Sequence, residues 1–364
     1  VVATLLDIEG RPAIDLSLAG AGPLDALDLD FVFDAGADRI AEGKATLRGE
    51  PDGRAFAVDL RGALAPVVPA PYRDFFAGET VVDVAGVALA AGGFRIDRLS
   101  ATGAALDLTG ALETAPDGFP RSLTLSGRIG DPRGDAVTLP VPGAATRLHS
   151  ATLHVSYGGG RLWNGRLALD RLAAGDVTVE DLTVTLGGRA EHLDDPARRD
   201  LTATIEAVAT GVSAADPALA EALGGRLDLV VDLAAPPGGP ILLREAQLEG
   251  PALSLFAAGR IADGAFDGRL AARLADLAPV SGVAGRALGG SVDFDATGTV
   301  APLSGAFDLT LDGTARDLRL GEPRLDALLA GETTLGGRVA RGPDGIRADR
   351  FRLANPEVEI AANG

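Results

Sequence analysis

The sequence has no cysteine and no methionine, and its single lysine is Lys44. Without cysteine the chain can form no disulfide bond, no thiolate metal site and no cysteine nucleophile. Aromatic residues make up only 4% of the chain. No uncharged apolar run approaches the roughly 20 residues that a membrane-spanning helix needs. The missing initiator methionine and the almost exclusive use of arginine lead us to expect a section of a longer protein.

Positive charge is also scarce, because 33 Lys and Arg residues stand against 51 Asp and Glu residues and the net charge is −18. This balance argues against a nucleic-acid partner, since phosphates select basic surfaces. It also argues against electrostatic docking on an anionic membrane, but it leaves apolar contact with lipid open. The hydrophobic content of 46% is too high for a disordered chain.

No catalytic or metal-binding constellation stands out among the polar residues. The only histidines are His149, His154 and His192. The first two are separated by an odd number of residues and would face opposite sides of a regular strand, which makes them a poor metal pair. The acidic pair Asp194 and Asp195 is ordinary for so acidic a chain. We therefore predict that the chain is not an enzyme and holds neither a metal nor a cofactor.

Most of the chain alternates apolar and polar residues, as Leu27, Leu29, Phe31 and Phe33 do with the residues between them. A period of two places the apolar side chains of a strand on one face. One dry face and one wet face are typical of an antiparallel or solenoid-like sheet. We predict that an apolar groove is lined by Phe31, Phe33, Phe56, Val58, Leu60, Leu106, Leu108, Leu123, Leu125, Val184, Leu186, Leu227, Leu229, Val231, Leu253, Leu255, Phe294, Phe307, Leu309, Leu311, Val358 and Ile360.

Four short segments that each end at a glycine predict helices of about two turns. They lie near residues 72–77, 217–223, 283–288 and 324–330. Helices of this length are marginal alone. Each precedes an alternating strand, and we therefore expect them to cap the apolar face.

An internal repeat sets the organisation of the chain. Residues 93–110 (GFRIDRLSATGAALDLTG) recur at 345–362 (GIRADRFRLANPEVEIAA) and, more loosely, at 240–257 (PILLREAQLEGPALSLFA). The segment AGET occurs at both 77–80 and 330–333. Such repetition indicates a fold built by stacking one unit.

From this repetition we predict one continuous array rather than separate globular domains. Residues 1–110 are expected to form β-trough repeats, which are groups of strands whose apolar faces line a narrow trough. Residues 111–215 are expected to continue the strands, and residues 216–364 to form further β-trough repeats with three of the short helices.

The pattern of short helix, glycine and alternating strands resembles the TamB family of the AsmA-like superfamily. The resemblance rests on residues 289–300 (GGSVDFDATGTV), 305–312 (GAFDLTLD), 315–320 (ARDLRL), 328–337 (LLAGETTLGG) and 344–353 (DGIRADRFRL). It covers most of the chain and is strongest over residues 216–364 and 74–110.

The resemblance implies a mostly β fold, an elongated, curled antiparallel or solenoid-like sheet known as a β-taco trough, with a few short capping helices. It implies a middle section of a bridge across the periplasm of a Gram-negative envelope, anchored in the inner membrane through a segment not present here. The expected activity is transfer of phospholipid between the inner and outer membranes, outer-membrane protein assembly, or both. The expected partners are phospholipid acyl chains and, through other parts of the protein, an outer-membrane barrel such as TamA.

A different class of function is a structural or adhesive surface β-solenoid with a filled core and no lipid transport. Such arrays usually show more regular repeats and more Asn and Thr ladders than this chain has. A co-purified acyl lipid would distinguish the two.

Overall fold

The structure is a computed structural model, which describes residues 13–130, 134–141, 145–158, 160–281, 285–342 and 345–364. The fold is mostly β, with 22 strands in one antiparallel sheet and, among the described residues, two short α-helices. The predicted fold class is therefore confirmed in its strand content, its antiparallel pairing and its short helices. No helix among the described residues is long and apolar enough to span a membrane.

The chain divides into two compact units. The first unit contains residues 1–175 and 181–199, and the second contains residues 176–180 and 200–364. The first twelve strands are β1 (Ile14–Ala21), β2 (Ala26–Ala35), β3 (Asp38–Glu50), β4 (Gly53–Gly62), β5 (Thr80–Leu89), β6 (Phe94–Thr102), β7 (Leu106–Thr114), β8 (Pro120–Gly130), β9 (Val137–Thr138), β10 (Thr146–Gly158), β11 (Leu162–Ala174) and β12 (Val177–Glu191).

The second unit takes the first residues of β12 and all later elements. Its strands are β13 (Asp200–Ala214), β14 (Gly225–Ala235), β15 (Ile241–Glu249), β16 (Leu253–Ala262), β17 (Ala265–Leu274), β18 (Gly289–Ala301), β19 (Ala306–Arg319), β20 (Glu332–Gly342), β21 (Gly345–Ala354) and β22 (Glu359–Ala362). Its α-helices are α1 (Pro217–Leu223) and α2 (Pro323–Leu328), and a short 3-10 helix occurs at Ala278–Val280. The 3-10 helices at Ala65–Val67 and Ala70–Tyr72 lie in the first unit.

The strands of each unit pair antiparallel with their neighbours in the chain. In the first unit β1 to β8 pair in order, β8 pairs with β10, and β10 also pairs with β9 and β11. In the second unit β13 to β22 pair in order. Tight connections between alternating strands produce this meander, because two-strand hairpins need no crossover helix.

The three copies of the internal repeat fold into hairpins of identical register. In each copy the ninth residue pairs with the sixteenth, and the seventh pairs with the eighteenth. The ninth and sixteenth residues are Ala101 with Leu108, Leu248 with Leu255, and Leu353 with Ile360. The sequence similarity therefore corresponds to one repeated structural unit, as the repeat predicts.

Two of the four predicted helices are confirmed by α1 and α2. Helix α1 begins after Asp216, whose carboxylate accepts a hydrogen bond from the backbone N–H of Leu219 at 3.1 Å. This is the N-cap geometry that satisfies an unpaired donor of the first turn. Gly224, the first residue after the helix, has a left-handed φ of +61° and ends it.

The prediction of a helix at 72–77 is wrong. The chain there forms a 3-10 helix over Ala70–Tyr72 followed by turns, with the N–H of Phe75 bonded to the carbonyl of Tyr72 at 3.1 Å. Pro69 and Pro71 lack the N–H groups that an α-helix needs and restrict the residues before them. The segment then reaches Gly78 too soon for a second turn to form.

The predicted helix at 283–288 lies partly outside the described residues. Those that are described, 285–288, form a turn and a bend and not a helix. Gly285 there has a left-handed φ of +65°, which a continuing right-handed helix excludes.

A buried apolar cluster of the second unit lies beside α2. A buried cluster of Ala315, Leu318, Leu329 and Leu353 contacts Leu325 of this helix. The backbone N–H of Leu320 donates to the Asp326 carboxylate at 2.7 Å and ties the helix to the preceding strand. Helix α2 therefore covers part of the apolar side of the sheet, as expected of a cap.

On the apolar side of the sheet, glycine is required where the backbones of adjacent strands approach closely. A Cβ atom on Gly268 would lie 2.2 Å from the carbonyl oxygen of Ala258 and 2.8 Å from Cζ of Phe266. Its cross-strand partner is Gly259, whose own Cβ would lie 2.4 Å from the carbonyl oxygen of Asp267. Because side chains cannot fit between these backbones, neither position tolerates a larger residue without a local shift of the strands.

Candidate functional site

An unbroken apolar row crosses the first unit. Residues that are cross-strand partners share one face of a sheet, so the register defines the row directly. From β1 to β11, with β9 passed over, it consists of Leu18, Phe31, Gly43, Leu60, Val82, Ala101, Leu108, Gly127, Leu153 and Leu167. The row contains no polar side chain, and the side of the sheet that carries it is called here the apolar face of the first unit.

A second apolar row, with one residue from each of ten strands, crosses the second unit. From β13 to β22 it consists of Ala207, Leu229, Leu248, Leu255, Ala272, Phe294, Gly313, Leu335, Leu353 and Ile360. It too has no polar side chain. The side that carries this row is the apolar face of the second unit.

The predicted groove residues fall on these two faces. Alternation and register place those of β2 to β8 on the apolar face of the first unit, and those of β14 to β19 on that of the second. In β12, Leu186 approaches the position of a Cβ on Gly165 to 3.3 Å, and Gly165 pairs with Val155 on the apolar face. Val358 lies just before β22 and packs with Ile360 against the cluster beside α2.

Every predicted groove residue is half-buried except Leu255, which is 39% exposed. Full burial of a Leu, Val or Phe side chain is worth about 1.5–3 kcal/mol relative to full exposure. Half-buried side chains have gained only part of that free energy. An apolar ligand laid on either face would supply more of it.

The opposite face of the second unit carries cross-strand ion pairs. Arg260 lies 2.6 Å from Asp267, and Arg273 lies 2.7 Å from Asp293. Further pairs on this face are Arg269 with Asp295 and Arg338 with Asp308. Exposed ion pairs contribute about 0–1 kcal/mol each to the free energy of folding. Their main effects are therefore to keep this face hydrated and to support the strand register.

The first unit has the same arrangement on its polar side. Asp28 contacts Arg48 at 2.5 Å, and Asp30 lies 3.9 Å from Lys44. Arg98 donates two hydrogen bonds to the Asp83 carboxylate, and the shorter one, from Nε to Oδ1, measures 2.5 Å. Each unit thus has one apolar face and one charged face.

The three histidines do not come together. Nδ1 of His154 lies 2.8 Å from the Ser126 hydroxyl on the exposed face, and His192 is exposed at the end of β12. His149 is half-buried in β10, and its Nδ1 atom is buried without a hydrogen-bond partner. Within the described ranges, no group of three His, Asp or Glu side chains could hold a metal ion.

Comparison with known proteins identifies no relative: neither a protein-family model, nor a curated protein, nor a solved structure matches this chain.

Two carboxylates that accept hydrogen bonds from arginines should make stability depend on pH. A hydrogen bond from Arg199, and then one from the N–H of Phe119, lower the pKa of Asp117 below its ordinary value of 3.8. A hydrogen bond from Arg338 likewise lowers the pKa of Asp308. A group whose pKa is depressed by folding stabilises the fold above its unfolded pKa, and this contribution is lost as the pH falls through the folded value.

We therefore expect the urea midpoint to fall as the pH is lowered from about 5 to about 3. Asp308→Asn should lose part of this dependence. Circular dichroism during urea titration at each pH would measure it. A midpoint that is constant or rises over this interval would contradict the assignment.

Proposed function

We propose that the two apolar faces carry phospholipid acyl chains, as part of a bridge that moves phospholipid between the membranes of a Gram-negative envelope. The observation that carries this proposal is the apolar row that crosses ten strands in each unit, in which most side chains are only half-buried. A soluble domain normally covers so extensive an apolar surface or uses it for binding.

The dimensions of each row suit an acyl chain. Neighbouring strands lie about 4.8 Å apart, so ten strands provide a path of roughly 40 Å along the sheet. One leaflet of a bilayer is about 15 Å of hydrocarbon, half of the usual core thickness. Each CH₂ group that leaves water gains about 0.8 kcal/mol. Movement along such a face needs no nucleophile and no cofactor, only continuous apolar contact.

The cellular setting is part of the same proposal. We place the chain in the periplasm, anchored in the inner membrane by a segment outside this sequence. An outer-membrane barrel such as TamA would be the partner, and outer-membrane protein assembly a second role. The motifs at 289–300 and 344–353 that resemble the TamB family support this setting.

Photo-crosslinking at two adjacent residues tests the lipid proposal. A benzophenone amino acid would replace Leu309 on the apolar face or Thr310, the exposed neighbour on the charged face. After expression in a Gram-negative host and irradiation, mass spectrometry would measure the phospholipid adduct. We expect about tenfold more adduct at position 309 than at position 310. The free energy gained when a few CH₂ groups leave water exceeds 1.4 kcal/mol, which corresponds to a factor of about ten in binding.

Circular dichroism would establish that both variants are folded. Equal adducts at the two positions, or none at position 309 in a folded protein, would contradict the proposal. The second result would favour a structural solenoid whose apolar side is filled by protein.

A further inference from the structure

A polar pocket of about 440 Å³ opens at one end of the apolar face of the first unit. It lies where β8 and β11 begin and where β10 and β12 end. Its charged and polar lining residues are Arg121, Tyr157, Arg161, Glu191, His192 and Asp194. This set is called the rim pocket.

The rim pocket adjoins the apolar face directly. Tyr157 is the cross-strand partner of Leu123, a groove residue. Arg121 lies at the register shift that begins β8, two residues before Leu123. The carbonyl of Arg161 accepts a hydrogen bond from the N–H of Ala190 at 2.8 Å, which closes the β11 side of the pocket. A molecule extending along β8 would therefore pass from apolar to charged surroundings.

The pocket is balanced in charge. Arg121 contacts the Asp194 carboxylate and lies 3.6 Å from Glu113. Arg161 lies 3.7 Å from Glu191, which also accepts a 2.8 Å hydrogen bond from Arg189. The lining thus offers two guanidinium groups and two carboxylates.

The phenol of Tyr157 adds a neutral donor. Burial, and then the nearby Asp194 carboxylate, raise the pKa of Tyr157 above its ordinary value. Its hydroxyl therefore keeps its proton at neutral pH and can donate a hydrogen bond to an anionic oxygen.

The segment 192–199, which contains the lining residues His192 and Asp194, is held in place at its far end. Its end residue Arg199 donates hydrogen bonds to the Asp117 carboxylate at 2.7 Å and to the Leu193 carbonyl at 2.9 Å. The Arg199 guanidinium also stacks on the Phe119 ring at 3.9 Å from its centroid. An arginine that stacks on a ring and donates two hydrogen bonds fixes its surroundings better than a lysine would. Leu193 itself is buried, so Asp194 is presented from an anchored backbone.

We propose that the rim pocket binds the head group of a zwitterionic phospholipid. The phosphate would contact Arg121 and Arg161, the ammonium group would contact Glu191 and Asp194, and the acyl chains would lie along the apolar face beyond Leu123. This inference rests on the proposed lipid function and names the lipid class that it selects.

Charge complementarity favours a zwitterion over an anion. A phosphate alone would compete with Asp194 for Arg121 and with Glu191 for Arg161, and it would place a further negative charge beside these two carboxylates, which is unfavourable. A phosphate with an attached ammonium group offers an anionic partner to the arginines and a cationic partner to the carboxylates at the same time. The volume lies within the range of small-molecule pockets.

The test uses the full chain incubated with vesicles of equimolar phosphatidylethanolamine and phosphatidylglycerol, with bound lipid measured by mass spectrometry. We expect wild type to bind the zwitterionic lipid in about tenfold excess over the anionic one, since one lost charged hydrogen bond has that effect. The variant Glu191→Gln/Asp194→Asn should remove this preference or reverse it toward phosphatidylglycerol. The control Asp107→Asn, at an exposed carboxylate on the charged face, should keep it.

The outcomes separate this inference from the proposed function. If wild type and the double variant bind both lipids equally, the rim pocket is not a head-group site, although the apolar faces still carry lipid. If wild type binds no phospholipid, both proposals fail. If it binds glycerophosphoethanolamine but no phospholipid, the ligand is a soluble zwitterion and the head-group proposal is overturned. Thermal melting would verify that the double variant is folded, and Arg161→Gln, at an exposed residue, provides a second variant expected to weaken phosphatidylethanolamine binding.

Discussion

Replacing Leu229 by arginine is expected to lower the phospholipid bound by the chain by about tenfold or more. Leu229 stands in the apolar row between Ala207 and Leu248. A guanidinium there would lose its hydration whenever an acyl chain covered the face, and an unpaired charge in apolar surroundings costs several kcal/mol. The neighbouring strands offer it no carboxylate on that face.

The matched control is Val230→Arg, one residue further along β14. Val230 is 40% exposed on the charged face, and its cross-strand partners are Glu206 and Gln247. Bound phospholipid should stay within about twofold of wild type, because surface substitutions of this kind change little. Lipid would be extracted from both purified variants and quantified by mass spectrometry. Equal lipid in the two folded variants would show that the apolar row of the second unit does not carry it.

Replacing Leu329 by alanine should lower the free energy of unfolding by about 2–5 kcal/mol, the usual range for a fully buried leucine. Leu329 is 0% exposed and contacts the cluster of Ala315, Leu318 and Leu353. Since most apolar side chains of the sheet are only half-buried, this cluster is a main source of packing in the second unit. The cavity that alanine leaves would also loosen α2, because Leu325 packs on the same cluster.

Leu328→Ala is the control, since the same substitution is made one residue earlier at a side chain that is 43% exposed. We expect it to change the free energy of unfolding by about 0.5 kcal/mol or less. Urea unfolding followed by circular dichroism would compare the variants. Similar midpoints for Leu328→Ala and Leu329→Ala would mean that the cluster beside α2 does not stabilise the sheet.

The rim pocket was not foreseen from the sequence, although a partial signal existed. Arg121 precedes Leu123 and Leu125, and Arg161 precedes Trp163 and Gly165, at the spacing of one strand face. An arginine at the beginning of an alternating strand therefore indicates where the apolar face of that strand ends in a polar border. The sequence could not show that these borders meet, because Arg121 and Asp194 are 73 residues apart.

What the sequence determined by itself is the local structure and the two faces. Period-two alternation, as at Leu227, Leu229 and Val231, is enough to define a strand with one apolar side, and the repeated segments led to hairpins of one register. The helix predicted at 72–77 failed because local prolines outweighed the general pattern.

Only the tertiary structure decided which strands pair, where the apolar rows run and which charges meet. Register depends on hydrogen bonds between one strand and the next, and a shift of one residue would have moved every side chain to the other face. The burial of a side chain also depends on the tertiary structure. Leu328 and Leu329 are identical residues side by side, yet only Leu329 is buried, because it packs in one cluster with Leu353. No local pattern contains that difference, since it arises from a strand that follows later in the chain.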